Sequence, residues 1–294
     1  MAQKLLIGIG IGISFVIPQL IFANSYVADL ERDTQQYGSI LDASQTGLDL
    51  TTSFSQSAWV KLESQPSSNE YPITAKHTGS AGNRNWRWRY VDITGTKYFC
   101  LQVGTSDNCV TLSLSTATWT HIGVAFDDPN NQAKIYKDGV ESGTITGLTT
   151  TPDNSSSAMR VGADEDGGYF DGLIDDVRIY SSTIFTATDF DDQYSDPCNY
   201  NNTTNLQGYW KLENNLLDET ANNNDLTNNN SLTFTTDTPY TCDEEPPGNG
   251  TTTAFASVMP TDEEMQYWIT VILMIIATLL GLDLIRRMLA RFQQ

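Results

Sequence analysis

Between Ser25 and Tyr240 the chain consists of short runs rich in Val, Ile, Thr, Tyr and Trp, set apart by clusters of Gly, Asn, Asp, Ser and Pro, with almost no 3.6-residue periodicity. Such a texture gives a helix no apolar stripe to pack and suits strands that bury one face, so an all-β domain is expected. Strands are expected at 54–62, 86–92, 98–103, 109–114, 119–127, 133–137, 159–162, 173–180 and 208–213. Turn chemistry separates them at 104–108, at 127–132 and at Asp138-Gly139. Residues 186–194 (TATDFDDQY) are the one helical turn expected in this region.

Alternation gives these strands two faces. Ile122, Val124 and Phe126 form a buried side, and in 85–90 (NWRWRY) Trp86, Trp88 and Tyr90 point one way while Arg87 and Arg89 point the other. Two readings follow. Either the three rings are a core face with a solvated basic face behind it, or Trp86, Trp88 and Tyr90 form a platform that stacks sugar rings, with Arg87 and Arg89 buried against carboxylates.

The ends of the chain follow different rules. Residues 1–23 carry Lys4, a Gly-rich aliphatic run, Pro18 and a small residue at Ala23, the pattern of a secretory leader cut after Ala23; a retained N-terminal anchor is the alternative. Residues 243–263, with Pro, Gly and Thr but no pattern, are expected to be a stalk. Residues 264–286 are expected to form a transmembrane helix: Trp268 to Ile285 is an apolar run about 27 Å long as a helix, close to the hydrocarbon thickness of a bilayer. Tyr267 and Trp268 suit the outer interface, and Arg286, Arg287 and Arg291 place the tail 287–294 in the cytoplasm. The expected topology is single-pass type I, with the domain at 24–242 outside the cell membrane.

The chain has 36 Asp plus Glu against 16 Lys plus Arg, a net charge of −20. Leaving out the leader and 264–294 removes Lys4, three Arg, Glu264 and Asp283, so the exported part holds 12 basic and 34 acidic residues, net −22. A nucleic-acid partner is excluded, since phosphate backbones require a basic face. Four Cys in an exported region are read as two disulfides, with Cys100–Cys109 and Cys198–Cys242 preferred among the three connectivities because each joins sequence neighbours. No Cys-x-x-Cys spacing supports zinc.

Four blocks then become specific: 54–60 (FSQSAWV), 119–127 (WTHIGVAFD), 133–139 (AKIYKDG) and 169–180 (YFDGLIDDVRIY). In order and spacing they resemble laminin-G-like jelly rolls of the concanavalin A-like lectin/glucanase superfamily. The resemblance implies a two-sheet antiparallel jelly-roll sandwich over about residues 25–240, and implies that His121 is a structural partner in its Trp-x-His element. One departure stands out. The opening strand of such domains, roughly Tyr-Trp-x-Leu-Asp/Glu, is found at the far end, in 208–234 (GYWKLENNLLDETANNNDLTNNNSLTF). Either a second repeat is cut short there, or the domain is circularly permuted and 206–240 returns to complete it; the second is preferred, because two strands alone cannot bury their apolar face.

The resemblance also implies a structural Ca²⁺ where first and last strands run side by side. Its expected ligands are Asp175, with Asp176 as alternative, and Glu213, Asn214 and Asp218; the plain alternative is that Asp175 and Asp176 cap a turn and pair with Arg178. Asp164, Glu165, Asp166 and Asp171 flank Gly167-Gly168 and offer either a looser acidic pocket or a solvated loop. The Glu-x-Asp-x-x-Glu spacing that the laminarinase-type members use for retaining catalysis does not occur in the chain. The expected function is therefore a non-catalytic cell-surface recognition or adhesion module for a glycan or protein ligand. A structural role with self-association in the cell envelope is the second reading, and a glycoside hydrolase a distant third.

Overall fold

The computed structural model describes residues 24–67, 69–78 and 84–242. Two antiparallel sheets enclose one apolar core. The first sheet runs β10 (Val140–Thr146), β9 (Gln132–Lys137), β8 (Trp119–Asp127), β3 (Phe54–Leu62), β12 (Gly172–Ser181), β1 (Val27–Leu30), β15 (Thr233–Thr235), with β13 (Leu206–Trp210) also paired to β12. The second runs β14 (Thr227–Asn229), β2 (Tyr37–Ile40), β11 (Met159–Val161), β4 (Glu70–His77), β5 (Arg84–Ile93), β6 (Thr96–Val103), β7 (Ser106–Thr111). Every one of these pairings is antiparallel. The leader, stalk, membrane helix and tail expected from sequence lie outside the described residues, and no helix among the described residues is long and apolar enough to cross a membrane.

The core takes Phe54, Ile122, Val124 and Phe126 from the first sheet and Tyr71, Trp86, Trp88, Tyr90 and Phe99 from the second. The sugar-stacking platform expected on β5 is not formed. Trp86, Trp88 and Tyr90 are wholly buried between the sheets, so none of the three rings has a face to offer a ligand. The reason is the charge on the opposite side of β5: Arg87 and Arg89 find carboxylates there, so the aromatic side is the one that faces the apolar interior.

The segment 206–240 contributes strands to both sheets, since β13 pairs β12, β14 pairs β2 and β15 pairs β1. Trp210 is fully buried in the shared core, and its indole N–H donates to the Asn224 carbonyl at 2.9 Å. Registers place β1 opposite residues 172–174 of β12 and β13 opposite 177–180. With β3 on the other edge of β12, β1 and β13 lie end to end along one edge and leave a break opposite Asp175 and Asp176.

A second layer covers part of the first sheet's outer face. The helix α1 (Ala187–Ser195) begins in a capping box, where the Thr186 hydroxyl and the Asp189 carboxylate satisfy each other's backbone N–H groups. Its Phe190 lies so close to Gly123 of β8 that a Cβ there would sit 2.3 Å from the ring, which explains the glycine. Both expected disulfides are present: Cys100–Cys109 bridges β6 to β7, and Cys198–Cys242 ties the chain after α1 to the end of the described domain.

Candidate functional site: a polar pocket on the second sheet

Arg87 and Arg89 project from the outer side of β5 and are nearly buried by acids from three other segments. Arg87 Nη1 lies 2.9 Å from Asp164, 3.1 Å from Glu70 and 3.3 Å from Asp166. Arg89 forms a two-pronged pair with Asp107, at 3.0 and 2.7 Å, and its Nε lies 3.1 Å from Glu70. Burial works against the charge of Arg87, but Glu70 and Asp164 outweigh it and hold the guanidinium pKa above its ordinary value. These ion pairs are desolvated, and such pairs define geometry more than they add stability.

The loop after β11 is organised by Asp164, whose Oδ1 accepts the backbone N–H groups of Asp166 at 3.0 Å and Gly168 at 2.8 Å. This is the acid-flanked Gly167-Gly168 segment, and it walls a pocket of about 450 Å³ lined by Arg32, Asn69, Glu70, Arg87, Asp166 and Tyr169 besides the two glycines. Tyr169 approaches Tyr37 at 6.2 Å between ring centres, and Arg160 stands over the Tyr37 ring at 5.0 Å. His77 is buried behind the pocket with Nδ1 3.5 Å from Asp166 Oδ2; burial, then Arg87, lowers its pKa to about 4, so it is neutral near pH 7. Carboxylates held by guanidinium groups can accept hydrogen bonds from hydroxyls, and they stand here beside guanidinium donors and one tyrosine ring.

The residues expected to hold calcium are disposed otherwise. Asp175 is fully buried opposite the break between β1 and β13, and its Oδ2 accepts the Asn24 side-chain amide at 2.8 Å. Asp176 is bound by Arg178 at 3.0 Å and by the Tyr240 hydroxyl at 2.9 Å, with the Arg178 guanidinium between the rings of Tyr200 and Tyr209. Glu213 accepts the backbone N–H groups of Ser25 and Tyr26 at 2.9–3.0 Å. Asn214 has a left-handed backbone (φ 53°) beside it. Asp218 accepts from the backbone of Tyr209, Thr220 and Asn224 and from the Thr220 hydroxyl, and so shapes its own loop. Most of these oxygens face N–H and O–H donors, while Asp175 Oδ1 is buried without a hydrogen-bond partner among the described residues; a Ca²⁺ shell needs six to eight oxygens turned to one point. Among the described residues, one acidic group of three draws its ligand atoms together within 4.8 Å, and it is a different one, Asp29, Glu31 and Glu63.

Residues 33–188, just over half of the chain, match the family model described as the concanavalin A-like lectin/glucanases superfamily. The chain belongs to that superfamily. No curated protein sequence matches it. Among solved structures, the concanavalin A-like sandwich is similar to a protein from Bacteroides ovatus named as a putative carbohydrate binding protein, with a TM-score of 0.55 at 18% identity over 72% of this chain; it spans 60% of that protein. It is also similar to a heptameric SAP-like pentraxin from Limulus polyphemus, with a TM-score of 0.53 at 12% identity over 72% of this chain and 94% of the pentraxin. At these identities the likeness is one of fold.

Proposed function

We propose that this domain is a non-catalytic recognition module that binds a glycan in the pocket between Arg32, Glu70, Arg87, Asp166 and Tyr169. The observation that carries the reading is the pocket's chemistry: paired donors and acceptors fixed by mutual ion pairs, with the edge of a tyrosine, suit a neutral polyhydroxylated ring. Membership of the superfamily and the likeness to a protein named for carbohydrate binding support it. The leader-like residues 1–23 and the apolar residues 264–286 support display on the outer face of a cell membrane, type I. The end-to-end placement of β13 and β1 supports circular permutation of the domain. The test is a glycan array with the full chain in detergent. Saturable binding to one sugar class that is lost in Tyr169→Ala supports the proposal; silence across the array favours an assembly role.

A further inference from the structure

The tyrosine that lines the pocket has a second tyrosine beside it, outside the lining. Alternation along β2 sends Gly38 and Ile40 inward, with Ile40 in the core, and turns Tyr37 and Ser39 to the outer side of the second sheet. On the neighbouring β11, Met159 and Val161 join the core, so Arg160, paired with Ser39, faces out as well. Arg87 projects from the same outer side, with β4 between its strand and β11. One loop serves both places. Its ends are joined by a bridge between Ala163 and Tyr169, and its Asp164 carboxylate holds Arg87. The Asp164 carbonyl and the Glu165 carboxylate take the two terminal nitrogens of Arg160 at 2.7 and 3.3 Å. Arg160 is thereby fixed over the half-buried Tyr37 ring, 5.0 Å from its centre, and Tyr37 lies 6.2 Å from Tyr169 between ring centres.

We propose, resting on the glycan reading of the pocket, that Tyr37 is a second sugar platform and that the glycan is therefore a chain of two or more residues, one held among the paired charges and the next against the Tyr37 ring. A sugar ring carries a face of C–H groups bordered by hydroxyls. Tyrosine matches both parts, with an apolar ring face and a polar tip. The guanidinium of Arg160 steadies the ring by cation–π attraction, and its own two partners on the loop hold it in turn. A platform ordered in advance leaves less conformational entropy to be lost on binding. The size of the pocket agrees with a chain. At about 450 Å³ it lies in the range that holds drug-sized ligands, which are larger than one sugar ring. Tyr169 belongs to the pocket and touches the Tyr37 side, so a chain leaving the pocket past Tyr169 meets Tyr37 next.

The test is a ligand-observed NMR titration of the full chain in detergent with gluco-, galacto-, manno- and xylo-oligosaccharides, each as a ladder from one residue to four. In a ladder that binds, the disaccharide is expected to bind at least about tenfold more tightly than the monosaccharide. Tyr37→Ala is expected to bring that ratio close to one, and Tyr37→Phe to keep it, because the ring and not the hydroxyl forms the platform. A measurement on the unaltered chain decides the matter should Tyr37→Ala fail to fold. Nitration of Tyr37 by tetranitromethane, read from peptide masses, is expected to slow when the disaccharide is bound and not when the monosaccharide is bound at equal saturation. A ladder with no gain beyond one residue, or a ratio unchanged in Tyr37→Ala, overturns the second platform while the binding itself leaves the pocket reading in place. No binding in any ladder overturns both.

Discussion

Replacing Trp210 by Ala tests whether the segment after residue 206 carries the stability of the whole sandwich. The indole is fully buried in the core shared by both sheets, and truncating a buried Trp costs about 3–5 kcal/mol through lost transfer energy and the cavity left behind. The variant also loses the N–H bond to the Asn224 carbonyl, worth about 1 kcal/mol. Asn224 in turn exchanges hydrogen bonds with the backbone of Thr46 at 2.7 and 2.9 Å, so the damage reaches the loop before β3. The total is about 4–6 kcal/mol. For a domain of this size each kcal/mol moves the melting temperature by about 2–4 °C, which makes the expected fall about 10–20 °C. Differential scanning calorimetry of the full chain in detergent measures it, with Leu217→Ala, a change at a 53% exposed residue of the same segment, as control. A Trp210→Ala domain that melts within about 2 °C of the parent, in one transition, refutes an integral segment.

Further outcomes concern the buried histidines and the second disulfide. Burial, then Arg178, lowers the pKa of His121 to about 3, and His77 falls to about 4, so both are neutral in the fold while the unfolded imidazoles take a proton below about 6.5. Their contribution to stability is complete above that pH and is lost as pH falls toward 4; between pH 6.5 and 4.5 denaturant midpoints should drop, and His121→Asn should flatten the slope. Cys198→Ser with Cys242→Ser opens a loop whose ends are 44 residues apart, and calorimetry should show a loss of about 2–4 kcal/mol. The same pair should expose Tyr240, which now donates to Asp176 beside Trp59, to solvent in near-ultraviolet circular dichroism.

The sandwich was legible where local pattern and tertiary demand agree. Residues 54–62 and 119–127 are strands with the expected limits, because their alternation is clean and no proline interrupts it. The helix at 187–195 falls on the helical turn expected at 186–194. The strand Glu70–His77 was not, since Pro72 argues against a central strand; the sheet accepts it at a break in register between Pro72 and Thr74. The two sides of β5 were visible in sequence, but which side faces the core depends on Glu70, Asp107 and Asp164, acids from distant segments that no local pattern connects. The pocket was legible in one wall, the acids around Gly167-Gly168; Arg32 and Asn69 are brought there by topology alone. Asp175 lies opposite the break between β1 and β13, and the resemblance to other jelly rolls implied an ion held with Glu213; the donors hydrogen-bonded to these two acids include the chain's own Asn24, Ser25 and Tyr26.

The most direct test of the functional account is titration of the leading array sugar into the full chain and into Asp166→Ala and Tyr169→Ala, followed by isothermal calorimetry. The account predicts saturable one-site binding to the parent and at least a tenfold weaker association in each variant, with melting temperatures held within a few degrees of the parent because both side chains line the rim. Sugar binding that is unchanged in both variants contradicts a site in this pocket.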